Sequence, residues 1–241
     1  GLDNENYHLV LLCENNKGYE NLMQLVSRAW TEGFYNRPRV DEELLREYHD
    51  GLIALSACLA GKVSRDLTAG DYRAARETAL KYLDIFGENQ FFLELQDHGL
   101  REQKEINPEL IRLSHDTGIP LVLTNDCHYL EKEDHKMHHV LVCIQTNHTV
   151  QDEDVLSFGT NEFYVKSEEE MRALFPQLPD AADRTEEIAQ RCQVEIEFGK
   201  TKLPYFEAPG GEDTTTYFRR LCMEGLIRRY GENYDPAVRK R

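Results

Sequence analysis

The sequence contains no apolar segment long enough to cross a membrane, because its longest aliphatic runs are short pieces such as LVLL and LIAL. It has no basic and apolar leader, and its six cysteines include no CxxC pair. The patterns GxGxxG, GxSxG and GxxxxGK followed by Ser or Thr are also absent. These absences predict a cytoplasmic protein with free thiols and no membrane association, and they exclude the nucleotide-binding and serine-hydrolase sites that such patterns mark.

Positive charge is scarce in this chain. Lysine and arginine total 28 against 44 aspartates and glutamates, so the formal net charge is −16. The length of 241 residues and the hydrophobic fraction of 40% are ordinary for a folded globular protein and exclude a disordered or collagen-like chain. Because so acidic a surface repels phosphate, we expect this chain to meet a phosphate group only through metal ions.

Apolar runs alternate with helical patterns along the first two thirds of the chain. Each run is continuous rather than alternating, which is typical of a strand buried on both faces of a parallel sheet. Four strand-then-helix units therefore predict an α/β fold with a parallel sheet. The predicted strands are 8–13, 51–58, 91–95 and 120–124, and the helices after them lie near 22–30, 71–86, 101–117 and 131–146.

The remaining third has a looser pattern. Ser167 and Glu170 form a capping box at the start of a short helix, a second helix follows at 180–192, and QVEIEF at 193–198 alternates like a strand. The Pro- and Gly-rich piece KLPYFEAPGGED then predicts a linker before an amphipathic helix that bears several arginines. We therefore predict one domain over 1–205, followed by a linker and a separate helix over 206–241.

Two candidate sites follow predicted strands. Asp126 and His128 in TNDCHY come directly after the fourth strand, and a D-x-H pair in extended chain places both side chains on one side, as two ligands of one metal require. The alternative is a turn Asp that caps the next helix beside a half-buried His. His98 in LELQDHG follows the third strand in the same way, although an Asp-His-Gly turn is by itself the simpler interpretation.

Three further groups carry metal-ligating residue types. His8 precedes four aliphatic residues and reads more simply as a structural His, while Cys58 at the end of LSAC is either a small buried side chain or a thiolate ligand. The histidines of HKMHH have the spacing of one helix face, but no Glu completes an HExxH pattern. We therefore interpret that group as a solvated face of the helix.

Several motifs in succession resemble one known family. They are YHLVLL, KGYENLMQLVSRAWTEGFYNRPRVD, GLIALSACLAG, FFLELQDHGLREQ, GIPLVLTNDCHYL and VLVCIQT, followed by FYVKSEEEMRALFPQLPDA, EIAQRCQVEIEFGK, LPYFEAP and LCMEGLIRRY. In this order they are similar to the amino-terminal region of bacterial replicative DNA polymerase III alpha subunits. That region is the polymerase and histidinol phosphatase (PHP) domain.

The resemblance implies a PHP-type distorted (β/α)7 barrel, with up to three divalent ions of zinc, manganese or magnesium type held by nine ligands at its mouth. By motif, His8, Cys58, Asp126 and His128 fall on ligand positions, and His98 falls near the site as a candidate catalytic residue. The family's first segment, which carries an HxH pair, a T-D-H-G turn and a G-x-E turn, is not among the motifs matched here. We therefore expect an incomplete barrel whose remaining ligands bind metal weakly and support no nuclease activity by themselves.

For the parent protein, the resemblance implies a DNA-directed DNA polymerase of DNA replication, whose PHP domain carries out metal-dependent 3′–5′ proofreading. Its partners would be the DNA primer-template, deoxynucleotides, the sliding clamp and a proofreading exonuclease. Two alternatives stay open. One is a scaffold without catalysis that docks a separate exonuclease, and the other is a stand-alone phosphoesterase of the histidinol phosphatase type.

Overall fold

The computed structural model describes residues 5–152, 158–201 and 203–239. The chain divides into two compact units, Gly1–Glu195 and Ile196–Arg241. The boundary predicted between 205 and 206 stays a prediction. None of the described helices is both long enough and apolar enough to cross a bilayer.

A four-stranded sheet lies at the centre of the first unit, and its strands adjoin one another in chain order. The sheet contains β1 (Val10–Cys13), β2 (Leu52–Leu55), β3 (Phe91–Leu95) and β4 (Leu121–Leu123). Strands β2, β3 and β4 run parallel, with Leu55 paired to Phe92 and Leu93 paired to Leu121. All four predicted strand positions are therefore confirmed, as is the parallel pairing of the last three.

The direction of β1 corrects the prediction of an all-parallel sheet. β1 pairs with β2 in antiparallel register, with Val10 opposite Leu55 and Cys13 opposite Leu52. An apolar run has the same composition whichever way it points, so its direction depends on how the connecting chain crosses the sheet. As a consequence, the amino end of β1 lies at the carboxyl ends of the other three strands.

Helices flank the sheet on both faces, which explains the continuous apolar runs. On one face the main core packs Leu93 and Leu95 of β3 against α4 (Tyr72–Phe86) and α5 (Arg101–Thr117). On the other face Phe92 and Val122 pack with Ile188 of α8 (Pro179–Arg191). The other helices of the first unit are α1 (Asn16–Thr31), α2 (Glu42–Glu47), α3 (Lys62–Thr68), α6 (His135–Thr146) and α7 (Glu168–Leu174).

The predicted helices are confirmed, and local signals set their ends. Asp71 accepts a hydrogen bond from Ala74 N at the start of α4, and Gly118 ends α5 in the left-handed conformation. Ser167 and Glu170 form the predicted capping box of α7. Helices α2 and α3 were not predicted, because each is too short to show a clear helical period.

Residues 193–198 do not form the predicted strand. The described chain there makes isolated hydrogen bonds, from Gln193 N to Glu14 O and from Glu195 N to Asn16 Oδ1, rather than a ladder. Ile196 and Phe198 are 58% and 87% exposed, so their alternation does not mark a buried face. The second unit contains α9 (Thr214–Tyr230), capped by Asp213, and the short α10 (Pro236–Arg239).

Candidate functional site

The loops that follow β2, β3 and β4 carry the predicted site residues. Cys58 lies after β2, His98 after β3, and Asp126 and His128 after β4. Because these strands are parallel, their carboxyl ends share one edge of the sheet. The structure therefore places these side chains at that single edge, which we call the carboxyl edge.

His8 reaches the carboxyl edge from the opposite direction. It lies just before the antiparallel β1 and pairs as an isolated bridge with Gly61, while its backbone N–H donates to Ala60 O at 3.0 Å. Its Nδ1 lies 3.8 Å from the Sγ of Cys58. The antiparallel direction of β1 thus brings the first predicted ligand beside the second.

Cys58 shares its surroundings with two carboxylates. Burial raises the pKa of the Cys58 thiol, and the negative charges of Asp126 and Glu94 raise it further. Burial also raises the pKa of Glu94, against hydrogen bonds from Thr124 and Gln96 that lower it. Acidic side chains and a thiol in one partly desolvated space produce a negative potential that favours a cation.

Glu94 is a member of this site that the sequence analysis missed. It is 6% exposed and lies in the middle of the otherwise apolar strand FFLEL. Thr124 Oγ1 and Gln96 Nε2 donate to its Oε1, whereas its buried Oε2 has no hydrogen-bond partner within the described ranges. A single charged residue inside a fully buried strand was the signal available in the sequence.

The loop after β4 bends at Asp126, so the D-x-H pair does not lie in the extended chain from which its shared side was predicted. Asp126 has a positive φ of 48°, in the left-handed region, and its backbone carbonyl lies 2.7 Å from His128 Nδ1. That carbonyl oxygen accepts a hydrogen bond from the Nδ1–H, which leaves Nε2 with the lone pair. Histidine ligands of metals are commonly oriented by this kind of bond.

His98 is buried and bound through both ring nitrogens. It is 1% exposed and stacks on Phe163, with ring centroids 3.9 Å apart. Gln103 accepts from His98 N and donates from Nε2 to His98 Nδ1, each at 2.8 Å. The remaining His98 Nε2–H therefore donates to the backbone carbonyl of Asn125, the residue before Asp126. His98 thus connects the loop after β3 to the loop that carries Asp126 and His128.

Comparison with known proteins assigns this architecture to a family. Residues 2–98 match the PHP domain. The chain carries a PHP domain over these residues. It is 47% identical to the DNA polymerase III subunit alpha of Treponema pallidum over 93% of this chain and 19% of that relative. The same subunit of Thermus aquaticus is 42% identical over 98% of this chain and 20% of that relative.

The family resemblance predicted from the motifs is therefore confirmed. The chain spans about a fifth of the length of these curated relatives. PHP domains are generally metal-dependent. The described residues of this one form a four-stranded part of the (β/α)7 fold, in which β1 and β4 are the two outer strands.

At the carboxyl edge of the PHP domain, one pair of donor atoms has a spacing that suits a metal ion. A nitrogen ligand and a sulfur ligand of one tetrahedral zinc ion, each at its usual distance from the zinc, lie about 3.6 Å from each other. The separation of 3.8 Å between His8 Nδ1 and Cys58 Sγ is close to that value. Within the described residues, however, no three His, Cys, Asp or Glu side chains are grouped closely enough to hold one ion.

The histidines of HKMHH are half-buried, which corrects the prediction of a solvated helix face. His135 Nδ1 contacts Lys132 O at 2.9 Å, and His139 Nε2 lies 3.8 Å from Cys143 Sγ. The ring of His138 lies 5.5 Å from that of His128. The residues after β4 fold back over α6, and that tertiary contact was invisible in the helical spacing.

Stability of the PHP domain should depend on pH through His98. Burial, followed by the charge of Lys166, lowers the pKa of His98 below its ordinary value of 6.5. The folded state therefore favours the neutral ring, so this contribution to stability is fully present above pH of about 6.5 and decreases as the pH falls below it. We expect the urea midpoint to fall more between pH of about 7.5 and 5.5 in the wild type than in His98→Gln. Equal slopes would contradict the lowered pKa.

Alanine at Gly61 should disturb the loop that carries Cys58. A Cβ at this position would lie 2.1 Å from Ser56 O, which is too close for any real contact. We expect Gly61→Ala to lower the free energy of unfolding by about 1–3 kcal/mol, measured by thermal denaturation. Gly225→Ala in α9 is the control, because a Cβ there meets nothing within 4 Å and alanine favours the helix. A Gly61→Ala protein as stable as the control would contradict the close approach of residue 61 to the carbonyl oxygen of Ser56.

Proposed function

We propose that the chain is the PHP-domain region of a replicative DNA polymerase III alpha subunit, with the domain over 1–205 and the start of the polymerase core over 206–241. The observation that supports this is the 42–47% identity to alpha subunits along nearly the whole chain. In such a protein the complete polypeptide is a DNA-directed DNA polymerase that acts in DNA replication. Its partners are the DNA primer-template, deoxynucleotides, the sliding clamp and other replicase subunits.

For the PHP domain itself we propose metal-dependent hydrolysis of phosphodiesters, used for 3′–5′ proofreading. His8, Cys58, Asp126 and His128 are the proposed ligands. The first two are nitrogen and sulfur donors that suit zinc, while the carboxylate of Asp126 also suits manganese or magnesium. A bound divalent cation neutralises phosphate oxygens and lowers the pKa of a coordinated water.

The other residues of the carboxyl edge position these ligands in our proposal. His98 takes a positioning role in place of the catalytic one first predicted, because both of its ring nitrogens already bond to Gln103 and Asn125. Glu94 presents an unpartnered buried oxygen and adds negative charge near Cys58. The negative potential attracts cations, and the cations in turn allow an acidic protein to approach DNA.

A scaffold is the second candidate function. The described residues supply no complete group of three ligands, and this favours a domain that docks a separate proofreading exonuclease. A stand-alone phosphoesterase of the histidinol phosphatase type has less support, because the relatives described above are polymerase subunits.

The test uses the full-length gene product that contains this chain. Bound metal is first removed with a chelator. The protein is then incubated with 3′-labelled single-stranded DNA, and zinc, manganese or magnesium is added back. We expect degradation from the 3′ end that disappears with chelator and returns with metal. Capture of a purified proofreading exonuclease without degradation under any metal would favour the scaffold, and hydrolysis of small phosphomonoesters alone would favour the phosphatase.

A further inference from the structure

A cleft of about 500 Å³ lies next to the proposed metal-binding edge. Its walls come from the loop after β4, from α6 and from the segment after residue 157, and they include Tyr129, His135, His138, His139, Phe158 and Asn161. This volume lies within the range of sites that bind small molecules. The cleft is therefore large enough for one planar group of a substrate.

Two residues that line the cleft also lie beside the ring of His128. The ring centroid of His128 lies 4.6 Å from that of Phe158 and 5.5 Å from that of His138, and both of those residues line the cleft. His128 in turn follows Asp126 in the loop at the carboxyl edge. A molecule that fills the cleft therefore lies beside His128, one of the two proposed metal ligands of this loop.

The chemistry of the walls favours a planar, uncharged heterocycle. Phe158, Tyr129 and His138 provide aromatic surfaces on which a flat ring can stack. Among the described lining residues there is no Lys or Arg, so the cleft has no fixed cation for a phosphate.

Polar atoms at the cleft are available to a ligand. In the parts of the chain that the structure describes, no hydrogen bond is made by the side chains of His138 and Asn161. An amide and an imidazole can donate to or accept from the edge of a nucleobase, as proteins that read unstacked bases do.

We propose that this cleft binds one unpaired nucleobase of a DNA strand whose adjoining phosphodiester lies at Asp126 and His128. The inference rests on the proposed function, because it names the substrate of the same site. Stacking on Phe158 holds the base, and Asn161 contacts its edge. An unpaired terminal base fits this cleft, whereas a base held in a duplex cannot leave its stack without a cost in free energy.

The test measures binding of 2-aminopurine deoxyriboside, an uncharged fluorescent nucleoside, to the full-length gene product in the presence of chelator. Stacking quenches the fluorescence, and the absence of phosphate removes repulsion by the acidic chain. We expect saturable quenching that Phe158→Leu weakens by at least about fivefold, since an aromatic face contributes on this scale to base stacking. Phe158→Tyr keeps the aromatic face and should bind like the wild type.

Phe198→Leu is the matched control, because Phe198 is 87% exposed and is not one of the residues that line the cleft. Asn161→Ala provides a second variant that leaves the aromatic packing intact, and we expect about two- to tenfold weaker binding. Quenching that is not saturable, or that is equal in wild type, Phe158→Leu and Asn161→Ala, would overturn the proposal.

The same measurement separates failure of the cleft from failure of the proposed function. Nucleoside binding with no metal-dependent hydrolysis would refute the phosphoesterase and leave the cleft standing. Hydrolysis with no nucleoside binding would refute the cleft alone.

Discussion

Replacing Asp126 by Asn is expected to lower metal-dependent DNA hydrolysis by the full-length gene product at least about 100-fold. The substitution removes a negative charge that the proposed site uses to hold a cation, and a bound metal contributes several kcal/mol to stabilisation of the transition state. Asn also tolerates the left-handed backbone of this position, where φ is 48°. The variant therefore changes charge without straining the loop, and hydrolysis is measured from the 3′ end of labelled DNA.

Asp84→Asn is the matched control for this prediction. Asp84 pairs with Arg46 on the surface of α4, its side chain is 70% exposed, and it lies near the end of the sheet where β3 begins. We expect its activity to equal that of the wild type. An Asp126→Asn protein that hydrolyses DNA as fast as Asp84→Asn would rule out Asp126 as a metal ligand.

Truncation of Phe91 to Ala should cause the largest loss of stability among the single substitutions considered. Phe91 begins β3, is 0% exposed, and packs its ring 5.4 Å from that of Tyr82 on α4. Removing so large a buried side chain costs about 3–5 kcal/mol, through lost burial and the cavity left behind. Because domains of this kind are stable by only about 5–15 kcal/mol, we expect a large decrease in the urea midpoint.

Phe218→Ala controls for the same chemical change at the surface. Phe218 is 66% exposed on α9 and should change the free energy of unfolding by less than about 0.5 kcal/mol. Equal urea midpoints for Phe91→Ala and Phe218→Ala would contradict the burial of Phe91 between β3 and α4. Circular dichroism at zero denaturant establishes that both variants start from a folded state.

Much of the fold could be predicted because burial on both faces leaves a continuous mark in the sequence. β2, β3 and β4 are nearly uniform apolar runs, and Gly87 and Gly118 mark the ends of α4 and α5. The segment 193–198 shows the limit of this reasoning. Its alternation satisfied the strand pattern, but a strand also requires a neighbour with free backbone groups, and that neighbour is a tertiary feature.

The candidate site was predictable to a similar extent. The motifs located His8, Cys58, Asp126 and His128 by resemblance to a family, and the last three each follow a predicted strand of a parallel sheet. The residue pattern alone favoured a structural role for His8, because it stands beside an apolar run, and only the resemblance placed it among the ligands.

The amino-acid sequence alone is enough to identify the helices and strands and the residue types at their ends. Those depend on short-range signals: apolar period, capping residues and turn residues. Tertiary packing sets the antiparallel direction of β1, which brings His8 beside Cys58, and it also sets the hydrogen bond from His98 to the backbone of Asn125. These are contacts between residues far apart in the chain, and they depend on how the connecting segments pack, which no local pattern records.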